Sequence, residues 1–520
     1  MPSNHNLFSA LRAGFPADLD ATAVETCDTP EPLYYTWRDL DRASARIANL
    51  LGSLELPEQS RVAVHVDKSV EALMLYLGVL RAGHVYLPLN TAYQAAELAY
   101  FIGNAEPAVV VCAQRNFPWL SKLAFAAGVT NVFTLDAGAG PQGAGSGTLL
   151  ERAAFMADTH EPAARAEDDL AAILYTSGTT GRSKGAMLTH RNLLSNALTL
   201  KDYWGWRPGD VLIHALPIFH VHGLFVASHG ALINGSKMLW FEKFDPKATI
   251  RAMQRATVFM GVPTLYVRML AEPALTPAAA AHMRLFLAGS APLLPETFDA
   301  WRERSGHAIV ERYGMSETVM LTSNAYHPKD GTRRAGTVGK PLPGVQLRVH
   351  DDKGQPCRHG EVGGIEVKGP SIFKGYWRMP EKTAEEFTHD LWFKTGDVGK
   401  VGEDGVVTIV GRSKDLIISG GYNVYPAEIE GYLNEQPGVA ESAVVGVPHP
   451  DFGEAVIAVV IPKPGAGPDA AALIAALKSK IAAFKVPKRV FVEPELPRNQ
   501  MGKVQKNLLR ERHKELFAGG

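Results

Sequence analysis

The sequence has 520 residues, 46% of them hydrophobic, so the chain can bury a large core and form more than one domain. Its 53 lysines and arginines nearly balance 54 aspartates and glutamates, and the net charge of −1 argues against nucleic acid or an anionic membrane as partner. Three widely separated cysteines give neither a disulfide framework nor a CxxC metal site and suit a reducing compartment. We see no secretory signal and no run of about 20 apolar residues, and therefore expect a cytoplasmic protein without a membrane span.

Helices and strands alternate along the first part of the chain. Thr36 is followed three residues later by Asp39, a spacing that predicts a capped helix. Three apolar strands and one buried helix are predicted next: RVAVHV (61–66), EALMLYLGVLRAG as the helix (71–83), HVYLPL (84–89) and AVVVC (108–112). Apolar strands that alternate with helices are typical of a parallel sheet covered on both faces, so the predicted fold class is α/β.

The pattern of predicted secondary structure changes near residue 411. Short β-rich segments such as GIEVKG and GVVTIVGR give way to a compact α+β stretch with the strands SAVVGV and AVIAVVIP and a helix around AALIAALKSKIAAF. We therefore predict an N-terminal domain over 1–411, a boundary at 412–415 and a small C-terminal domain over 416–520.

A loop rich in small, hydroxylated and basic residues occupies LYTSGTTGRSKGAMLTH (174–190). It is not a Walker A loop, because Lys184 follows a serine and precedes a glycine, and because a second strand-like run comes after the loop. Its glycines free backbone N–H groups to surround an anion, and its hydroxyls and Lys184 add donors and charge. A flexible hairpin tip would explain the glycines but not the other residues, so the composition favours phosphate binding.

The stretch YTSGTTGRSKG (175–185) resembles the phosphate-loop signature of the adenylate-forming superfamily, which includes acyl-CoA synthetases, peptide-synthetase adenylation domains and firefly luciferase. Four further motifs of that superfamily occur in order: RYGMSET (312–318), KTGDVG (394–399), GRSKDLIISGGYNVYPAEIE (411–430) and PRNQMGK (497–503). The resemblance covers almost all of 30–510. It implies that a carboxylate attacks the α-phosphate of ATP, with Mg²⁺, and that the acyl-adenylate then passes to CoA. It also implies large layered sheets, a β-barrel-like subdomain and a mobile C-terminal domain.

The same resemblance assigns roles to individual residues. Lys503 is expected to contact the α-phosphate and the substrate carboxylate, Glu317 to hold Mg²⁺ with Thr176, and His220 to join the catalytic group. Glu317 could instead be the first residue of a helix after Ser316. The full expected ATP-binding set is Thr176, Ser177, Gly178, Thr179, Thr180, Gly181, Lys184, Gly289, Ser290, Ala291, Glu311, Arg312, Tyr313, Gly314, Ser316, Thr318, Asp397, Arg412 and Lys503.

One site cannot easily serve both half-reactions, and the superfamily rotates its C-terminal domain between them. The hinge position falls on Lys414. The CoA-binding expectation covers Ser419, Gly420 and Gly421, whose glycines would let pantetheine approach the backbone; a plain turn is the alternative. Asp397 and Arg412 are expected near the ribose, although either could be part of a loop salt bridge.

The choice of acid rests on basic residues in apolar surroundings. Arg284 enters an apolar strand and needs an anionic partner, which is either an internal carboxylate or a second carboxylate on the substrate. The segments IFHVHGLF, GVPTLYVRML, MRLFLAGSAPL and ERYGMSET resemble the malonyl-CoA synthetase branch. We therefore expect malonate, with methylmalonate as a second substrate, held by His222 and Arg284, with Arg268 in reserve and Met315 nearby. A medium-chain or aryl monocarboxylate is the alternative.

Other functions are less well supported. A peptide-synthetase domain would call for a carrier domain, and only 17 residues follow Lys503. Luciferase-type oxygenation shares the adenylate and is not excluded by the sequence. A non-catalytic nucleotide sensor would be expected to lack Lys503, Glu317 or Asp397. Lys503 also resembles a site at which lysine acetylation silences acyl-CoA synthetases, which predicts an acetyltransferase and a deacetylase as partners.

Overall fold

The computed structural model describes residues 4–29, 31–138, 143–176, 183–420, 422–499 and 502–517. The chain divides into two compact units, Met1–Gln346 with Lys368–Leu391 and Leu347–Val367 with Trp392–Gly520. The second unit therefore includes residues that precede the predicted boundary at 412–415, and the hinge itself stays a prediction.

Fifteen α-helices lie in the part of the chain that the structure describes. They are α1 (Leu7–Ala13), α2 (Trp37–Gly52), α3 (Val70–Arg81), α4 (Ala95–Ala105), α5 (Phe117–Ala126), α6 (Thr148–Ala153), α7 (His190–Tyr203), α8 (His229–Asn234), α9 (Pro246–Ala252), α10 (Pro263–Leu270), α11 (Pro295–Ser305), α12 (Pro380–Glu386), α13 (Pro426–Asn434), α14 (Ala470–Lys478) and α15 (Lys506–His513). A π-helix, His222–Ser228, runs directly into α8. None of the described helices is long and apolar enough to cross a membrane.

The strands of the described residues form four sheets. In chain order they are β1 (Thr22–Thr26), β2 (Tyr34–Thr36), β3 (Arg61–His65), β4 (Val85–Pro88), β5 (Val109–Cys112), β6 (Asn131–Thr134), β7 (Leu170–Thr176), β8 (Lys184–Thr189), β9 (Val211–His214), β10 (Lys237–Trp240), β11 (Val258–Gly261), β12 (Leu285–Ala288), β13 (Val310–Met315), β14 (Val319–Ser323), β15 (Lys340–Pro341), β16 (Gln346–His350), β17 (Gly363–Lys368), β18 (Gly375–Tyr376), β19 (Phe393–Val401), β20 (Val407–Arg412), β21 (Ile417–Ser419), β22 (Tyr422–Val424), β23 (Val439–His449), β24 (Gly453–Pro462) and β25 (Arg489–Val492).

The first unit contains two large sheets with parallel centres. One has the order β18-β8-β7-β4-β3-β5-β6, in which the pairs from β7 to β6 are parallel and those of β8 and β18 are antiparallel. The other has the order β15-β14-β13-β12-β11-β9-β10-β1-β2 and is parallel from β13 to β1. Ligands of such sheets bind outside the carboxyl ends of the strands. The segments after β9, β12 and β13, which contain several of the predicted site residues, all leave from that edge.

Two local features predicted from the sequence are confirmed in this unit. Thr36 and Asp39 form a capping box at α2: the hydroxyl of Thr36 accepts from the N–H of Asp39 at 3.1 Å, and the Asp39 carboxylate accepts from the N–H of Thr36 at 2.8 Å. Helix α3 is buried along its whole length, as its apolar sequence predicts.

The second unit is built from two smaller sheets. A four-stranded sheet has the order β16-β17-β19-β20, in which β17, β19 and β20 pair antiparallel; the β-barrel-like subdomain expected in the N-terminal domain stays a prediction. The other sheet has the order β22-β21-β24-β23, with β25 parallel to β24. A mixed α/β chain with large layered sheets and a separate small C-terminal unit confirms the predicted fold class.

Candidate active site

The predicted phosphate loop connects two antiparallel strands. Thr176 at the end of β7 pairs with Lys184 at the start of β8, and the Thr176 hydroxyl donates to the Lys184 carbonyl at 3.4 Å. This strand–loop–strand arrangement agrees with the distinction from a Walker A loop. The residues Ser177, Gly178, Thr179, Thr180 and Gly181 lie outside the described residues.

Tyr376 contacts both Lys184 of the predicted phosphate loop and Glu317, the carboxylate predicted to bind Mg²⁺. The Lys184 ammonium lies 4.3 Å from the centroid of the Tyr376 ring and 3.3 Å from Oε1 of Glu386. The Tyr376 hydroxyl donates to Oε1 of Glu317 at 3.0 Å, and Glu317 is buried. The sequence reasoning missed Tyr376, because nothing in the order of residues shows that β18 pairs with β8.

RYGMSET forms a hairpin between β13 and β14. Its turn is closed by the N–H of Thr318, which donates to the Met315 carbonyl at 3.1 Å, and by the N–H of Met315, which donates to the Thr318 hydroxyl at 3.3 Å. A Cβ at Gly314 would collide with the carbonyl of Val319, so only glycine fits there. The alternative in which Glu317 begins a helix is wrong, since Ser316 and Glu317 lie in this turn.

Four residues, His222, Gly289, Ser290 and Arg312, form what we call the His–Arg cluster. A Cβ at Gly289 would collide with the Arg312 guanidinium, so the two residues are packed against each other. Ser290 has a left-handed backbone (φ 72°), and its hydroxyl lies 3.3 Å from Nδ1 of His222. Strained non-glycine conformations of this kind concentrate at functional sites.

Arg312 is an unusual cation. It is 3% exposed, and its Nε and Nη2 have no hydrogen-bond partner among the described residues. Burial lowers the pKa of Arg312 to about 9. Buried charges are normally paired, so this guanidinium is suited to bind an anion from outside the protein.

His222 is equally buried, and its Nε2 has no partner in the described part of the chain. Burial, together with the nearby charge of Arg312, lowers its pKa well below the usual value, so the imidazole is neutral. His220 accepts the backbone N–H of His222 at Nδ1, at 3.2 Å.

Glu311, expected to bind ATP, is a buried carboxyl whose pKa is raised to about 8 by burial. Its Oε1 accepts from the N–H of Leu293 at 3.2 Å, and its Oε2 has no partner among the residues described. Tyr313 is buried, whereas Ala291 and Met315 are half-buried. The hydrogen bond from Leu293 to Glu311 fixes the segment after β12, which includes Gly289 and Ser290 of the His–Arg cluster.

Arg284 has an internal partner, so its predicted contact with the substrate needs correction. Its Nε donates to Oδ1 of Asp210 at 2.7 Å, its Nη2 contacts Oδ2 of the same carboxylate, and both side chains are buried. Arg284 also lies at the amino end of β12, five residues before Gly289, a distance of about 16 Å along the strand. Of the two alternatives left open by the sequence, the internal carboxylate is the one observed. Arg268 is exposed on α10, 4.9 Å from the Phe244 ring, and stays a prediction.

In the second unit, Asp397 and Arg412 face each other on β19 and β20. Arg412 Nε lies 2.8 Å from Oδ1 of Asp397, which is the salt bridge that the sequence left as an alternative. Lys503 lies in a turn where its N–H donates to the Asn499 side chain at 3.0 Å. Lys503 as a whole residue is exposed. Its ammonium is nevertheless desolvated by the protein around it, and this desolvation, together with the nearby charge of Arg412, lowers its pKa to about 8.

The predicted hinge and CoA segments belong to the same unit. Lys414 is exposed in a short 3₁₀ turn, and desolvation lowers its pKa. Ser419 is buried at the end of β21, and the N–H of Gly420, which has φ 59°, donates to the Phe452 carbonyl at 2.9 Å. Gly421 lies outside the described residues.

Comparison with known proteins agrees with these features. Residues 16–377 match the AMP-binding enzyme family, and 428–503 match the AMP-binding enzyme C-terminal domain. The chain belongs to the AMP-binding enzyme family. It is 52% identical to ATP-bound MatB from Rhodopseudomonas palustris, with a TM-score of 0.94 and coverage of 99% of this chain and 100% of that one.

Two curated relatives name different acids. A malonate–CoA ligase of Arabidopsis thaliana is 36% identical, with 87% of this chain and 78% of the relative covered. A feruloyl-CoA synthase of Amycolatopsis sp is 35% identical, with coverage of 92% and 94%. The protein is therefore an AMP-forming acid–CoA ligase with an ATP site, and the superfamily resemblance read from the sequence is confirmed.

Proposed function

We propose that this ligase activates malonate, with methylmalonate as a second substrate. The observation that supports this choice is the buried Arg312 guanidinium beside neutral His222: within the described part of the chain, Nε and Nη2 of Arg312 have no hydrogen-bond partner. A dicarboxylate offers one carboxylate for activation and a second for Arg312. The second carboxylate would accept a charge-assisted, bidentate pair of hydrogen bonds. His222 Nε2 supplies one more polar contact.

A monocarboxylate would leave the guanidinium buried and unpaired, which is costly. Sites built to bind a polar group reject substrates that lack it by large factors. The name of the Arabidopsis relative agrees with this choice, whereas the name of the Amycolatopsis relative favours the aryl alternative. In this proposal Arg312, which the resemblance places among the ATP-binding residues, instead takes the substrate-binding role predicted for Arg284.

The reaction has two steps. One carboxylate oxygen of the acid attacks the α-phosphorus of ATP, the bond to the β-phosphate oxygen breaks, and pyrophosphate leaves. The CoA thiolate then attacks the acyl carbonyl and AMP leaves. Charge accumulates at the α-phosphate in the first step, and we assign its stabilisation to the Lys503 ammonium.

The remaining roles follow from the residue chemistry. Lys184 and Thr176 are assigned to the phosphates, and Asp397 with Arg412 to the ribose. The buried Glu317 carboxylate fits a Mg²⁺ that is otherwise held by substrate phosphates, since such ions use one or two protein carboxylates. Bound Mg²⁺ would neutralise phosphate charge. The Tyr376 hydroxyl fixes the rotamer of that carboxylate.

The two half-reactions further imply rotation of the C-terminal domain about Lys414 and approach of CoA to 419–421. Acetylation of Lys503 by a protein acetyltransferase, reversed by a deacetylase, would remove its charge and stop adenylation. Normal adenylation by protein acetylated at Lys503 would contradict this regulation.

The test is CoA-dependent AMP release with malonate, methylmalonate, succinate, acetate, octanoate and 4-coumarate, for the wild type and Arg312→Met. We expect the wild type to prefer malonate and methylmalonate. Loss of one partner of a buried charge pair costs about 2–5 kcal/mol, so kcat/KM for malonate should fall by roughly 30-fold or more.

Arg333→Met is the matched control. This half-buried arginine bonds to the carbonyls of Ala308, Ala325 and Tyr326 and lies outside the His–Arg cluster. We expect it to reduce stability and leave the order of acids unchanged. A wild-type preference for octanoate or coumarate would overturn the malonate proposal while leaving the ligase chemistry intact.

A further inference from the structure

Lys68 is a buried lysine to which the proposed reaction has so far assigned no role. It follows β3, and its ammonium bonds to the carbonyl of His214 at 2.8 Å, the carbonyl of Phe241 at 2.7 Å and Nδ1 of His214 at 2.9 Å. It also lies 4.4 Å from the centroid of the Trp240 ring. Nζ of Lys68 is therefore within hydrogen-bond distance of three possible acceptors, and none of these partners is a carboxylate.

The second nitrogen of His214 connects Lys68 to the π-helix. His214 Nε2 lies 3.0 Å from the Gly223 carbonyl and 3.0 Å from the Ser228 hydroxyl. A carbonyl oxygen is only an acceptor, so this short distance requires a proton on Nε2. A neutral imidazole then has a bare Nδ1 that needs a donor, and Lys68 supplies it. Lys68 thus selects the tautomer of His214.

Gly223 is the point at which this network meets the helix. Its carbonyl receives the His214 imidazole and, at 3.0 Å, the Ser228 hydroxyl, and a Cβ at Gly223 would collide with the Pro217 carbonyl. Side chains that insert into the hydrogen-bond ladder of a helix distort it locally. Short π-helices are rare in proteins, and those that occur often lie at functional sites. The residue before Gly223 is His222, whose Nδ1 lies 3.3 Å from Ser290 Oγ.

We propose that Lys68 is a positioning residue for the acid substrate: through the tautomer of His214 it holds the π-helix and thereby sets His222 in the His–Arg cluster. This inference rests on the proposed role of that cluster in binding the acid. Lys68 itself bonds to His214 and Phe241 and acts only through them.

The first experiment compares Lys68→Met with wild type in steady-state assays of each substrate. We expect the KM for the preferred acid to rise at least tenfold while the KM for ATP changes less than twofold. In a His222→Ala background, Lys68→Met should have no further effect on the acid KM. Equal changes in both KM values, or independent effects of the two substitutions, would overturn the proposal.

Two substitutions of His214 divide its two functions. His214→Asn keeps an acceptor near Lys68 and loses the donor to Gly223, so it should reproduce the effect of Lys68→Met. His214→Gln keeps a donor that can reach Gly223 and should have a smaller effect. His190→Asn is the matched control, because His190 is equally buried and accepts the N–H of Leu7 at Nδ1, at 3.1 Å, outside this network. It should leave the acid KM unchanged.

A measurement on the wild type removes the dependence on variants that fail to fold. Nitrogen-15 NMR of the histidine side chains should show His214 as a single tautomer protonated at Nε2. A proton on Nδ1 would refute the network. If the preferred acid is not malonate, the malonate proposal fails and the assays are repeated with the preferred acid. If Lys68→Met then changes the KM for that acid alone, the positioning role of Lys68 is still supported.

Discussion

Replacement of Arg284 by methionine tests whether this arginine stabilises the fold or binds the substrate. The Asp210 side chain is 1% exposed and that of Arg284 is 8% exposed, so the substitution leaves a buried carboxylate without its cation. Removal of one partner from a buried pair costs about 3–5 kcal/mol. Asp210 keeps the N–H of Arg207 at 2.9 Å and the hydroxyl of Thr257 at 2.8 Å, which places the expected loss near about 3 kcal/mol, the lower end of that range.

Urea unfolding, followed with a probe in the first unit, measures this loss. With an m-value of about 3 kcal/mol per molar, the midpoint should fall by about 1 M. The acid KM of the folded variant should stay within twofold of wild type, because Arg284 lies at the amino end of β12. Arg207→Met is the matched control: Arg207 is 65% exposed and 4.0 Å from the same carboxylate, so its loss should cost less than about 1 kcal/mol. A tenfold rise in the malonate KM of Arg284→Met with unchanged stability would refute this reasoning.

Three further predictions concern individual groups of the site. Tyr376→Phe removes a hydrogen bond to the Glu317 carboxylate, worth about 1.5–3 kcal/mol, and should raise the Mg²⁺ concentration for half-maximal activity roughly tenfold or more; an unchanged Mg²⁺ dependence would contradict that assignment. The pKa of Glu311 is raised to about 8 from an ordinary 4.5, so between those two pH values the folded state binds one more proton than the unfolded state. The free energy of unfolding is therefore highest below about pH 4.5 and falls by up to about 1.4 kcal/mol per pH unit as the pH rises toward 8. Glu311→Gln should remove that slope from pH-dependent unfolding curves, and an identical slope would show that another group is responsible. Lys503 has a pKa of about 8, so the adenylation rate should decline above that pH as the ammonium deprotonates, whereas Lys503→Arg, although slower, should lack the decline in pyrophosphate-release assays; a parallel decline in both proteins would assign it elsewhere.

The elements of the fold were largely readable from the sequence because their causes are local. The capping box of Thr36 and Asp39 and the uniform apolarity of α3 act over a few residues, and the structure confirms both. The motifs around Lys184 and Glu317 were likewise recognisable as short stretches. Pairing of β18 with β8 brings Tyr376 to Glu317 from 59 positions away, and no local pattern encodes that contact.

The two arginines show where sequence reasoning ends. Arg284 directly precedes the apolar strand β12 and Arg312 lies within β13, and their immediate neighbours in the sequence do not show which of the two has a carboxylate partner. Asp210 lies 74 positions from Arg284, and it reaches that side chain only because the segment before β9 and the start of β12 lie at the same edge of the sheet. Arg312 instead packs against Gly289 at the other end of the strands and has unpaired nitrogens among the described residues. The sequence by itself determined the family, several of the strands, the cap of α2 and the motifs, because these depend on short-range periodicity and residue chemistry. Only the tertiary structure decided which buried cation is paired, since that depends on strand order and direction across the sheet.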